Sequence, residues 1–194
     1  MRAMVITSFG GLEVFEAREV PTPEPKPDEV RVKVHATSIN PVDLKIRQAG
    51  QWAGIEPPTV IGYDVSGVID SVGGAVHDFT LGEQVYYTPL IFGQQGSYAE
   101  YHVANEAIVA AKPANLSHTE AASIPLAGGT AWDALITRGD LKVGETVLIH
   151  GAGGVGSLAI QIAKAAGARV FVTCSDYMVG LAEKLGAQRA ISYK

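Results

Sequence analysis

The sequence predicts two folds in series. An α+β part built mainly of short β-strands covers residues 1–120, and an α/β part over residues 121–194 holds a βαβαβ unit, the first half of a doubly wound sheet. Three observations predict this. Short runs of alternating apolar residues, parted by Gly- and Pro-rich turns, fill the first 120 residues. Near Leu116 the texture shifts to helical apolar spacing. From Glu145 onward strand and helix alternate, with the glycine turn "HGAGGVG" after the first strand.

Taken in order, "MRAMVIT" and "EVFEAREV" alternate as strands about the turn "FGG". "PTPEPKPDE" is too rich in proline for a helix and reads as an extended connector. In "EVRVKVHATSI", Val30, Val32 and Val34 face one way and Arg31, Lys33 and His35 the other, a half-buried strand. "NPVDLKIRQAG" opens on Asn40-Pro41 and closes on Gly50, a helix with both ends marked. "TVIGYDVSGVIDSVG", "GEQVYYTPLI", "SYAEYHVA" and "EAIVAAK" read as further strands of an open or closed β-barrel.

"SHTEAASIP" starts a helix with the capping box Ser117–Glu120, and "LAGGTAWDALITRGDL" continues in helical spacing. Then come a strand (146–150), a helix (155–166), a strand (169–173), a helix (178–185) and a strand (189–192). Gly167 and Gly186 close the two helices.

Composition limits the function. With 47% apolar and 18% charged residues among 194, the chain is globular rather than disordered. A net charge of −5, with no two basic residues adjacent, argues against nucleic-acid or anionic-membrane partners. Cys174 is the one cysteine, so neither a disulfide framework nor a multi-cysteine zinc site can form. The N-terminus lacks a signal-peptide pattern, and no apolar run approaches membrane-spanning length. A cytoplasmic, reducing location is expected.

Gly151, Gly153 and Gly156 satisfy G-x-G-x-x-G in the context of a preceding apolar strand and a following helix. Gly151 permits the tight turn, Gly153 clears the approach of a pyrophosphate, and Gly156 lets helix pack on strand. The helix N-terminus, at Gly154 and Val155, offers free N–H groups to phosphate. An NAD site usually has an acid at the end of the second strand; here that place falls on Cys174 or Ser175. Ser175 can donate to a 2′-phosphate, so NADP is expected, although Asp176 lies close by and no Arg or Lys does. Cys174 reads as a buried strand-end thiol.

In the segments "ATSINPVDLKIRQ", "IGYDVSGVIDSVG", "GSYAEYHV", "AASIPLAGGTAWDAL", "VGETVLIHGAGGVGS" and "AKAAGARVFVTCS" the chain resembles the zinc-free quinone oxidoreductases of the medium-chain dehydrogenase/reductase family. The resemblance implies a GroES-like β-barrel domain, a Rossmann domain, and a cofactor cleft between them. It also implies no metal. Zinc-dependent members carry Cys where this chain has Asn40, and His-Glu where it has Tyr63-Asp64. An amide and a phenol do not replace thiolate and imidazole on Zn²⁺. His35, His77, His102, His118 and His150 have no metal-ligand spacing and read as structural or surface residues. The glycine turn is one residue shorter than is common in the zinc-free branch and matches the zinc-dependent spacing.

Site residues follow from the matched positions. Asn40 donates to cofactor or substrate, or else only caps its helix. Asp43 anchors the helix or the cleft, or is a surface carboxylate. Tyr63 points into the cleft or is a core aromatic with a satisfied hydroxyl. Thr130 bonds the nicotinamide carboxamide or its own helix backbone. Tyr86 and Tyr87 are weaker pocket candidates, since alternate residues of a strand face opposite ways.

The resemblance implies hydride transfer from NADPH to a quinone or enone. These acceptors are electron-poor enough to need hydrogen bonds rather than a Lewis acid. An enone or enoyl-thioester reductase shares every motif, and a non-catalytic fragment or binding protein keeping the fold is the alternative of another class. Family members continue well past Lys194. The expectation is therefore a fragment, a missing part supplied by a second chain or a swapped segment, or a stable piece with a weakened cofactor site. The strand "TVLIH" would then have an open edge. A homo-oligomer remains possible, its mode open because later sheet strands are absent.

Overall fold

The computed structural model describes residues 1–92 and 95–194. The chain forms two compact units, Met1–Leu126 and Ala127–Lys194.

In the first unit, β1 (Arg2–Ile6) pairs antiparallel with β2 (Phe15–Glu19). The first residues of "EVFEAREV" are not strand: Leu12–Val14 form a single 3₁₀ turn ahead of β2. β3 (Glu29–Ala36) runs as its alternation predicts, with Val30 and Val32 fully buried and Lys33 exposed. Burying each such valine contributes about 1.5–3 kcal/mol. Next come α1 (Pro41–Ala49), β4 (Thr59–Val60), β5 (Val65–Val72), β6 (Gln84–Tyr87), β7 (Tyr101–Asn105), β8 (Ala110–Ala111) and α2 (His118–Ala122).

The strands form two sheets, β2-β1-β4 and β7-β3-β5-β6-β8, joined by an isolated bridge between Ala3 and Ala99. The open alternative for the barrel therefore holds. Two strand expectations shorten for visible reasons. In "SYAEYHVA" the first four residues serve both sheets: Glu100 donates its N–H to the carbonyl of Arg2 in β1, and its own carbonyl accepts from Val34 in β3. In "EAIVAAK" the Asn105 side chain accepts the N–H of Ala107 at 3.0 Å, winding Glu106–Ile108 into a 3₁₀ turn.

The second unit starts within α3 (Pro125–Trp132), whose helical path continues through a widened π-type turn over Asp133–Arg138. β9 (Thr146–His150), α4 (Gly154–Ala165), β10 (Arg169–Cys174), α5 (Val179–Leu185) and β11 (Arg189–Ser192) follow, each end within a residue of the sequence reading. Ile160, Ala163, Val170 and Val172 form its core. Gly167 and Gly186 end the helices at φ +81° and +125°, a conformation L side chains resist. All three strands are parallel in the order β11-β10-β9, which leaves β9 at an edge with Leu148 half exposed. No helix among the described residues is long and apolar enough to cross a membrane.

Candidate cofactor and active site

In the first unit the polar side chains gather where β3 hands over to α1. Asn40 has extended geometry (φ −119°, ψ 158°) and Pro41 opens the helix. The Asp43 carboxylate reaches back to accept the Asn40 N–H at 2.5 Å, satisfying a donor at the helix start. Asp43 is only 3% exposed. Burial lifts its carboxyl to about 6, against the hydrogen bond from Asn40 and with the Asp64 charge adding to the rise.

Asp64, also buried, is the hub. Its Oδ2 accepts from Ser38 Oγ and from Asn40 Nδ2 (2.7 Å), and its Oδ1 accepts the Leu126 N–H at the start of α3 (2.8 Å). Asn40 Nδ2 also donates to Ser38 Oγ at 3.1 Å. Burial raises the Asp64 carboxyl, while the bonds from Ser38, Leu126 and Asn40 oppose that. Thr37 closes the loop by donating to the Asp64 carbonyl at 2.8 Å. The glycine before this pair is forced: Gly62 has φ +115°, and a Cβ there would lie 2.5 Å from the Tyr98 ring.

Tyr63 is fully buried among Ile46, Ile55 and Ile61, not open to a cleft within this unit. Its hydroxyl and Asp43 Oδ1 are buried and have no hydrogen-bond partner among the described residues. The satisfied hydroxyl expected of a core tyrosine is therefore not found. Burial, then the Asp43 charge, pushes its phenol strongly up. Beside Asp43, Tyr98 lines two apolar cavities of about 660 and 210 Å³ that also share Phe15 and Ile39.

In the second unit the glycine turn follows β9. The Gly151 N–H donates to Thr173 O at 2.7 Å while its φ of +94° turns the chain. A Cβ on Gly153 or Gly154 would meet nothing within 4 Å, so bare backbone fronts the α4 N-terminus. A Cβ on Gly156 would stand 1.9 Å from Gly151 O, with Ile149 of β9 only at 3.8 Å. Gly156 thus closes helix onto its own turn more than helix onto strand. Val155 is partly exposed at the helix start. These amides fit a dinucleotide diphosphate: the space is open and the first-turn N–H groups have no helical partner. At the end of β10, Ser175 Oγ lies 2.5 Å from the Tyr193 hydroxyl, and Cys174 is buried.

Residues 26–114 match the alcohol dehydrogenase GroES-like domain. Over 203 aligned positions the chain is 42% identical to the NADPH-dependent alkenal/one oxidoreductase, chloroplastic, of Arabidopsis thaliana, covering all of this chain and 52% of that protein. Two solved structures superpose on it closely. An alcohol dehydrogenase superfamily protein from Novosphingobium aromaticivorans gives a TM-score of 0.94 at 37% identity, covering 99% of this chain and 58% of that one. The quinone oxidoreductase from Coxiella burnetii gives 0.89 at 36%, covering 100% and 62%. Over its whole length the chain is similar to oxidoreductases of the medium-chain dehydrogenase/reductase family. It spans about half the length of the curated relative it matches.

Of the expected site residues, Asn40, Asp43 and Tyr63 lie together around Asp64 in the first unit. Gly151, Gly153, Gly154, Val155, Gly156 and Ser175 belong to the second, as does Thr130, exposed on α3. Asn40 caps α1 in a reciprocal capping box with Asp43, and its NH₂ group faces Asp64 and Ser38. The histidines are also less scattered than their spacing suggests. His35 and His118 stack with ring centroids 4.6 Å apart, and His118 Nδ1 lies 2.8 Å from Ser66 Oγ. Among the described residues, no group of three or more His, Cys, Asp or Glu is placed to hold a metal.

Sequence reasoning treated Asp64 only as a replaced metal ligand and missed its hub role. The signal was present: a carboxylate inside the apolar run "VIGYDVSGVI" must find donors. Tyr98 and Tyr193 carried no local signal, because their partners are distant in sequence.

Proposed function

We propose that the protein acts as an NADPH-dependent reductase of quinones or similarly electron-poor carbonyl compounds, without a metal. The observation that carries this reading is the turn after β9, where Gly151 bends the chain and Gly153 and Gly154 leave open space before the α4 amides. When bound, NADPH supplies a hydride. The chain's part is to seat the diphosphate on the amides of Gly154, Val155 and Gly156 and to meet a 2′-phosphate with the Ser175–Tyr193 hydroxyl pair. In this reading Thr130 holds the carboxamide end, residues 1–120 form the substrate-side domain, and residues 121–194 form the nucleotide domain.

Metal independence is supported by donor chemistry. Around Asn40 the groups are an amide, a phenol and two carboxylates, without the thiolate or imidazole that Zn²⁺ favours in this family's metal sites. A quinone or enone that accepts hydride spreads the resulting charge over its conjugated system, so positioning and water exclusion are the main tasks. The proton then comes from water. The fully buried Cys174 suits a cytoplasmic, reducing setting.

The relative's printed name, alkenal/one oxidoreductase, favours enones as a second substrate class. Titration of the 194-residue chain with NADPH, followed by a simple quinone or a simple alkenal, tests the reading through loss of nicotinamide absorbance. Turnover of either supports a reductase, and their ratio assigns the substrate. Binding without turnover favours a non-catalytic protein of this fold, and no binding removes NADPH from the account.

A further inference from the structure

The adenosine end of the proposed cofactor site lies wholly within the second unit. In a doubly wound sheet, the residue that meets the 2′ position of the adenosine ribose stands at the end of the strand after the glycine turn. β10 ends at Cys174, so that place falls on Ser175, whose Oγ lies 2.5 Å from the Tyr193 hydroxyl. Two hydroxyls carry two hydrogens, and one of them fills the bond between the pair. One hydrogen is left to donate to a ligand, beside lone pairs that accept. A ribose hydroxyl both gives and takes, so it suits the pair fully. A phosphate dianion only accepts, and receives a single bond.

Charge adds little to that bond. Arg169 and Arg189 open β10 and β11, and Lys164 and Lys184 lie in the last turns of α4 and α5. The strands are parallel and the helices return against them, so these four cations sit at the opposite end of the sheet. The six residues of β10 span about 20 Å, more than twice the screening length of about 8 Å at physiological salt. Arg138 and Lys142 precede β9 and pair with Asp133 and Asp140. Among the described residues of this unit, Lys194 is the one cation left at the ribose end, beside Tyr193. Exposed Asp176, beside Ser175, offsets it.

We infer that the chain discriminates weakly between NADPH and NADH, because the Ser175–Tyr193 pair offers a 2′-phosphate one hydrogen bond and Asp176 cancels the charge of Lys194. The inference rests on the proposed NADPH-dependent function and widens its cofactor to both reduced dinucleotides. Asp176 and Lys194 are the residues that set the preference.

Calorimetric titration of the full 194-residue chain with NADPH and with NADH, at pH 8 and physiological salt, tests this. The two dissociation constants should lie within about tenfold of each other. Asp176→Asn changes an exposed side chain without changing its shape; it should tighten NADPH about threefold and leave NADH nearly unchanged. Lys194→Ala should weaken NADPH by a similar factor, again with little effect on NADH. Ser175→Ala and Tyr193→Phe each leave one hydroxyl with a free hydrogen, so each should cost NADPH less than about threefold, and the double variant at least about tenfold. A wild-type preference beyond about tenfold for either dinucleotide overturns the inference and leaves the function standing. So does an NADPH-to-NADH ratio unmoved by both charge variants, or the full tenfold loss in either single hydroxyl variant. A wild-type chain that binds no NADPH overturns the proposed function, and this inference with it.

Discussion

The Asp43 carboxyl titrates at about 6 in the folded chain, chiefly because burial penalises its charge. Its ordinary value is 3.8, so the folded chain keeps a proton that the unfolded chain has released. That contribution favours the fold below pH 3.8 and is lost as pH rises through about 6. His102 has the opposite sign. Burial holds its imidazole down at about 4 against 6.5, opposed by a bond with the Gln95 carbonyl, and its other ring nitrogen pairs with Tyr87 at 2.9 Å. Its contribution is present above pH 6.5 and is lost as pH falls toward 4.

Between pH 4 and 6 the two residues oppose each other. Asp43→Asn keeps an oxygen for the Asn40 N–H and removes one side of this balance. Urea denaturation at pH 4.5 and 6.5 should then show stability rising with pH on the order of 1–3 kcal/mol more steeply than in the wild type. An unchanged slope would show that the Asp43 carboxyl is not perturbed by burial. Little of this residue-scale detail was legible. Asn40 was expected to donate to a ligand or to cap its helix; the cap with Asp43 is local, whereas the bond from its NH₂ to Asp64 joins residues far apart in the chain. Amide orientation is set by the partner, which local sequence does not name.

At the scale of elements the sequence was most informative where backbone chemistry is local. Asn40-Pro41 marked the start of α1, Ser117 and Glu120 marked α2 through a reciprocal capping box, and Gly167 and Gly186 marked helix ends by conformations other residues resist. It failed where tertiary partners decide, as at Ser97–Glu100, whose backbone serves two sheets. The turn into α4 gives a sharp expectation. Gly156→Ala places a methyl 1.9 Å from the Gly151 carbonyl, and backbone there cannot step aside cheaply. The clash outweighs the better helix propensity of alanine, so chemical denaturation should show a loss of about 1–3 kcal/mol. A stabilised variant would mean that the turn is looser than it stands here.

The whole molecule is two compact units meeting in sequence after Leu126, the first carrying the Asp64 hub and the second the glycine turn. Fold class was readable in the chain because strand alternation and the βαβαβ rhythm are periodic signals, and the similar solved structures share the architecture. The central functional claim is that bare amides before α4 seat a dinucleotide diphosphate. Calorimetric titration of NADPH into the wild type and into Gly153→Val tests it most directly. At Gly153 the backbone is extended (φ −74°, ψ −159°) and the surrounding space is open, so valine fits the fold but occupies the diphosphate's place. Gly153 is the N-cap of α4, where valine is poorer than glycine, so the account expects a stability loss of no more than about 1 kcal/mol with NADPH affinity reduced at least about tenfold. Equal affinity in the two proteins would contradict it.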